Sequence, residues 1–149
     1  MKLEDEIQQK KFRSEHHKGA INVIYTANWL SSIHGSYLKR FDLTPEQFNI
    51  LRILRGQYPE PATVNLLIER MLNKMSNASR LVDKLVAKKL VQRHTCREDR
   101  RAVDVVITKR GLDLLEEIDK VEKEWLESIS ALTAAEMRTL NKLLDKMRG

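Results

Sequence analysis

The side chains best suited to chemistry in this chain are cationic and amide groups, and they concentrate between positions 70 and 110. That segment holds 12 Lys/Arg against 4 Asp/Glu, a balance of +8. The whole chain carries +6, so the remainder sums to −2. A basic block between neutral or acidic segments is suited to holding a polyanion on one face. Within it, Ser79-Arg80-Leu81-Val82-Asp83-Lys84-Leu85 has helical spacing, and Asp99-Arg100-Arg101 stands at the tip of a predicted hairpin. A polar, basic helix fits the major groove of a duplex, and a basic hairpin can reach across the phosphates into the minor groove. Arg80 can pair bidentately with guanine O6 and N7, while Ser76 and Asn77 are short enough for base edges or a nearby phosphate. Lys74, Lys84 and Lys88 read as phosphate contacts, because a lysine is a compact point charge. Arg97 and Arg100 add to that set. Asp83 reads as the helix-surface partner of a nearby basic residue, and Ser79 as partly buried.

The elements that must hold these residues follow from periodicity. Residues 4–34 are predicted to form one long helix, with Gly35 and Phe41-Asp42-Leu43 marking its break. Ile21, Ile24, Ala27, Leu30 and Ile33 share a face, but Ala20, Val23 and Trp29 lie elsewhere. A helix this apolar has surface left over for a partner chain. Thr44-Pro45-Glu46-Gln47 is a helix start with a capping box and a proline in the first turn. Tyr58-Pro59-Glu60-Pro61 is a loop, and Thr63 caps a short helix through Leu66, Leu67 and Met71. After the connector Leu72–Asn77 a second helix buries Ala78, Leu81, Val82, Leu85 and Val86. Two short helices joined so closely cross steeply, as in a helix-turn-helix. Strands are predicted at 90–94 and 103–107 with a polar tip at 95–101. Thr108 caps a long helix, and a final helix starts near Thr133.

Composition narrows the function. Hydrophobic residues at 42% favour a folded chain, and aromatics at only 5% leave Leu, Ile, Val and Met to carry a helical core. A length of 149 residues fits one domain. There is no apolar run long enough to span a membrane, and the charged opening Met1-Lys2-Leu3-Glu4-Asp5-Glu6 lacks a signal-peptide core. The single Cys96 cannot form an internal disulfide, which fits a reducing cytoplasm. No nucleophile–base–carboxylate set or phosphate-cradling glycine loop is present. His16-His17 and His94-x-Cys96 do not supply four convergent metal ligands. An enzyme and a cofactor are therefore not expected. Two alternatives stand beside nucleic-acid binding: a redox-responsive regulator using Cys96, whose thiol lies among cationic residues, and a protein-interaction module, against which the +8 block argues.

In element order and motif the chain resembles the MarR (multiple antibiotic resistance regulator) family of bacterial winged-helix transcription factors. The matching residues are Leu43-Thr44-Pro45-Glu46-Gln47-Phe48, Leu67-Ile68-Glu69-Arg70-Met71, Ser79 through Val91, and Asp99-Arg100-Arg101 running on to Ile107-Thr108-Lys109-Arg110-Gly111. Three positions depart from the family pattern. Leu72-Asn73 stands where a glycine and an apolar residue are usual. Lys74 occupies the usual place of a capping serine, leaving Asn73 as the replacement cap. Lys89 replaces a glycine before the first wing strand. The resemblance implies a mainly α fold with a small β-hairpin wing, a winged helix-turn-helix with N- and C-terminal dimerisation helices. It implies one domain over 1–149, with a DNA-binding lobe at about 43–111 and dimerisation helices at about 4–38 and 109–148. It further implies that Arg101 enters the minor groove with Asp99 orienting it, and that a homodimer, most often a repressor, binds a near-palindromic stretch of double-stranded DNA. Release by a small aromatic effector near His17, Trp29, His34 and Tyr37 is also implied.

Overall fold

The computed structural model describes residues 1–95, 103–128 and 131–149. The chain separates into two compact units, Met1–Leu112 and Asp113–Gly149.

The first unit opens with a single helical turn, α1 (Leu3–Glu6), followed by α2 (Glu15–Leu38). The predicted continuous helix over 4–34 is therefore interrupted, and the interruption has local causes. Gln8 adopts a left-handed backbone at φ 52°, and Ser14 starts α2 afresh by accepting the His17 N–H at 3.1 Å. Four polar residues, Gln8-Gln9-Lys10-Lys11, follow in the intervening segment and interrupt the apolar spacing. The expected break at Gly35 does not occur. Tyr37 and Leu38 are buried, and that burial outweighs the cost of about 1 kcal/mol for a glycine inside a helix. The chain turns instead after a 3-10 segment at Lys39–Phe41, where Asp42 takes a left-handed conformation.

Helix α3 (Pro45–Gln57) begins as its sequence requires. The Thr44 hydroxyl accepts the Gln47 N–H at 3.3 Å, and the Gln47 side chain accepts the Thr44 N–H at 3.2 Å. That reciprocity lets Gln47 lie buried at no polar cost. Phe48, Ile50, Leu51 and Leu54 of α3 point into the core. A two-residue strand, β1 (Ala62–Thr63), leads into α4 (Val64–Arg70), which is capped by Thr63. Helix α5 (Ala78–Ala87) buries Ala78, Val82 and Leu85, an i, i+4, i+7 stripe. Val86, expected on that stripe, lies at its edge in the last turn and is exposed, and Leu81 is only half-buried.

Strands β2 (Val91–Thr95) and β3 (Val103–Ile107) pair antiparallel, with Val91 opposite Ile107 and Thr95 opposite Val103. Strand β1 pairs along the other edge of β3, so the order is β1-β3-β2. The wing is thus a three-stranded sheet. Two residues between a proline loop and a helix carry no strand period, so β1 left no trace in the sequence. Alternation along β3 buries Val105 and Ile107 against the core. Thr108 then caps α6 (Lys109–Ser128) by accepting the Gly111 N–H at 3.1 Å.

In the second unit α6 buries Leu115 and Ile118. Helix α7 (Ala134–Arg148) starts at a capping box between Thr133 and Glu136. No residue of α7 is buried, and Leu140, Leu143 and Met147 are exposed.

Candidate nucleic-acid interface

The geometry of α5 is set by three asparagines. The side-chain oxygen of Asn77 accepts the Arg80 N–H at 3.1 Å, making Asn77 the N-cap and Ala78 the first helical residue. Asn73, expected as the cap, instead closes a turn: its side chain accepts the Met75 N–H at 3.1 Å and its carbonyl the Ser76 N–H at 3.2 Å. An asparagine oxygen bonding two residues ahead competes with helix formation, which delays the helix start. Asn49 of α3 accepts the Leu72 N–H at 2.8 Å and ties the front of the connector to the core. The connector's backbone is thus hydrogen-bonded at Leu72, Met75 and Ser76.

That arrangement sorts the sequence-predicted residues. The Lys74 ammonium donates to the carbonyls of Ile68 and Glu69, so it closes the C-terminal end of α4. Ser76 is half-buried. Ser79, expected to be partly buried, is exposed, because it follows the buried Ala78 by one residue and so turns away from the stripe. Asn77, Arg80 and Lys84 are exposed and fall at near-helical steps along the outer side of α5. The Asn77 oxygen is committed to the cap, leaving its NH2 group to face outward. Asp83 forms an ion pair with Arg93 of β2, as its position suggested, and this pair ties the wing to α5. Lys88 pairs with Asp42, Nζ to Oδ2 at 3.0 Å, and lines a groove of 520 Å³ together with Lys39, Thr44, Gln47 and Lys84.

Arg97, Asp99, Arg100, Arg101 and Cys96 lie outside the described residues. The strands that carry them on either side are paired out to Thr95 and Val103.

The effector candidates are not gathered into one pocket. His34 packs edge-on against Phe48 at 5.6 Å between ring centroids, and Tyr37 packs against Phe41 at 5.7 Å. His17 contacts Phe12 at 6.0 Å near the other end of α2. Twenty helical residues separate His17 from Tyr37, about 30 Å along the axis. Trp29, between them, is 39% exposed. Among the described residues no three His, Cys, Asp or Glu side chains cluster to hold a metal ion, and no helix is long and apolar enough to cross a membrane.

Two short helices joined by a seven-residue connector and followed by a paired wing, with cations along the exposed side of the second helix, define a winged helix-turn-helix, a class of DNA-binding transcription regulators. A model of the MarR family matches residues 41–102. The chain is 31% identical over 107 residues to the uncharacterized HTH-type transcriptional regulator YpoP of Bacillus subtilis, covering 71% of this chain and 74% of that protein. It is 28% identical over 125 residues to the HTH-type transcriptional repressor IacR of Pseudomonas putida, covering 78% and 74%. The solved structure of a mutant MarR from E. coli complexed with operator DNA matches over 99% of both chains, with 26% identity and a TM-score of 0.76. The chain belongs to the MarR family, whose members are transcription regulators and not enzymes.

Proposed function

We propose that this protein is a cytoplasmic repressor that binds a near-palindromic operator as a homodimer. The observation that carries the reading is the exposed row Asn77, Arg80 and Lys84 on a helix whose N-terminus is rigidly capped. Arg80 would read guanine in the major groove, and Lys84 would contact a phosphate. Ser76 lies close enough in sequence to the helix start to contact a backbone phosphate. From the wing, Arg101 would enter the minor groove with Asp99 beside it, and Arg97 and Arg100 would grip phosphates. Two-fold pairing is supported by apolar faces that one chain leaves open on α2 (Ile24, Val23, Leu30) and α7 (Leu140, Leu143, Met147). The operator-bound E. coli relative and the repressor from Pseudomonas putida support the mode of action.

Release by a small aromatic ligand belongs to the same reading. Among the effector candidates, His34 and Tyr37 lie near one end of α2, each against an aromatic ring of the chain, and aromatic rings of this kind would suit such a ligand. Selection of genomic fragments by the purified protein tests the reading. Recovery of a near-palindromic sequence upstream of a gene supports it, and recovery of no preferred sequence contradicts it.

A further inference from the structure

Among the described residues, the two most exposed large apolar side chains after Met1 both belong to the connector before α5. Met75 is 93% exposed and Leu72 is 89% exposed. Their backbone is not loose. Asn73 holds the Met75 N–H at 3.1 Å and Asn49 holds the Leu72 N–H at 2.8 Å. Two large apolar side chains this exposed offer an apolar contact to a partner. Met75 stands two residues before the cap of α5, at the end of that helix which leads into the major groove in a helix-turn-helix. Of its polar neighbours, the Lys74 ammonium is engaged by the end of α4 and the Asn77 oxygen by the Arg80 N–H.

We infer that Met75 is a specificity-determining residue that packs its thioether against the 5-methyl group of thymine in the operator half-site. This rests on the proposed DNA-binding function and adds a base preference to it. The thymine methyl is the apolar feature of the major-groove edge, and apolar side chains are its natural contacts. A methionine suits it because its unbranched, polarizable chain can settle on a small apolar target. Leu72, three residues earlier in the same connector, is a second exposed apolar side chain. The occupant is DNA and not a second protein because Met75 stands two residues before the cap of the helix that carries the exposed cations Arg80 and Lys84.

The test compares the full-length wild type with Met75→Ala on a duplex selected by the wild type, replacing each thymine in turn with deoxyuridine. Loss of one methyl contact should weaken the wild type about three- to fivefold at one or two thymines per half-site. Met75→Ala should bind the unmodified duplex more weakly by a similar factor and be indifferent to deoxyuridine at those same positions. Identical deoxyuridine profiles for the two proteins, with duplex binding retained, would overturn the inference and leave the function standing. A shift of Met75→Ala in sedimentation velocity, with an unchanged deoxyuridine profile, would assign the surface to a second copy and overturn it also. Failure of the wild type to bind any duplex would remove the underlying function instead. Because Met75 is so exposed, its truncation should leave the fold intact, which circular dichroism verifies.

Discussion

The side-chain oxygen of Asn77 accepts the backbone N–H of Arg80 at 3.1 Å, so the residue that caps α5 also holds the backbone of the residue proposed to read a base. Asn77→Ala should lower stability by about 1 kcal/mol in urea denaturation, the usual cost of a lost cap. It should also weaken duplex binding, because α5 would fray at its leading end. Asn77→Asp keeps the cap. If Asp restores both stability and affinity, the cap is the whole role of Asn77. If Asp restores stability alone, the neutral cap Asn77→Ser separates charge repulsion from a lost amide contact: affinity regained with Ser means repulsion, and affinity still lost means that the amide contacts DNA.

Gly111 lies where a Cβ would meet the Leu90 carbonyl oxygen at 2.5 Å and the Ile107 side chain at 2.7 Å. The obstacle is partly backbone, so it cannot rotate aside. Gly111→Ala should cost about 1–3 kcal/mol, seen as a lower urea midpoint with an unchanged slope. A neutral result would mean that the junction of the wing and α6 is looser than this packing implies.

Lys89 carries the opposite expectation. It adopts φ 61°, a left-handed conformation, and its N–H closes on the Val86 carbonyl at 2.8 Å. Glycine meets no steric penalty there. Lys89→Gly should raise stability by up to about 1 kcal/mol, even after the greater chain entropy of glycine in the unfolded state. Thermal melting of the purified variant checks this, and a fall in the midpoint would contradict it.

Helix α1 is held to α2 by the ion pair of Glu4 with Lys18 at 2.5 Å and by the Tyr25 hydroxyl donating to Glu6 at 2.7 Å. The hydrogen bond from Lys18 lowers the Glu4 pKa, and the same bond raises that of Lys18. A lowered carboxylate stabilises the folded form above its unfolded value, about 4.3, and that contribution is lost as pH falls through the lower folded value. On the lysine side the contribution holds below about 10.4 and is lost as pH rises through the raised folded value. The contact should therefore persist through neutral pH and release in acid. Amide chemical shifts of residues 3–6 should move toward random-coil values on acidification, and Glu4→Gln should show the released shifts already at neutral pH. Shifts in the wild type that stay constant to strong acid would refute this contact.

The exposed apolar residues of α2 and α7 lead to a hydrodynamic expectation. Sedimentation at micromolar concentration should give a species near twice 17.4 kDa. Leu143→Glu, placing a charge on the open face of α7, should shift it toward the monomer. A clean wild-type monomer would remove the two-fold arrangement.

Much of this fold was legible because its signals are local. Thr44 and Gln47, Thr63, Thr108, and Thr133 and Glu136 all cap the helices their spacing announces. Where the sequence misled, a tertiary or competing local interaction decided. Burial of Tyr37 and Leu38 carried α2 through Gly35, and the turn at Asn73 leaves the cap of α5 to Asn77 instead of Asn73. The bond from Asn49 to Leu72 joins residues far apart in the chain, and no spacing rule reveals it. Within the interface, the exposure of Arg80 and Lys84 follows from helical periodicity. The engagement of Lys74 with α4 does not, because a charge run says nothing about which cations are already in use.

The most direct measurement is the affinity of the purified protein for its selected duplex as a function of salt, with Arg80→Ala and Lys84→Ala alongside. Log affinity should fall steeply with log salt for the wild type. Arg80→Ala should cost about 1–3 kcal/mol and relax preference at one base pair, while Lys84→Ala should weaken binding to all sequences and reduce the slope by about one. Wild-type affinity and slope in both variants would contradict the assignment of α5 as the element that meets DNA.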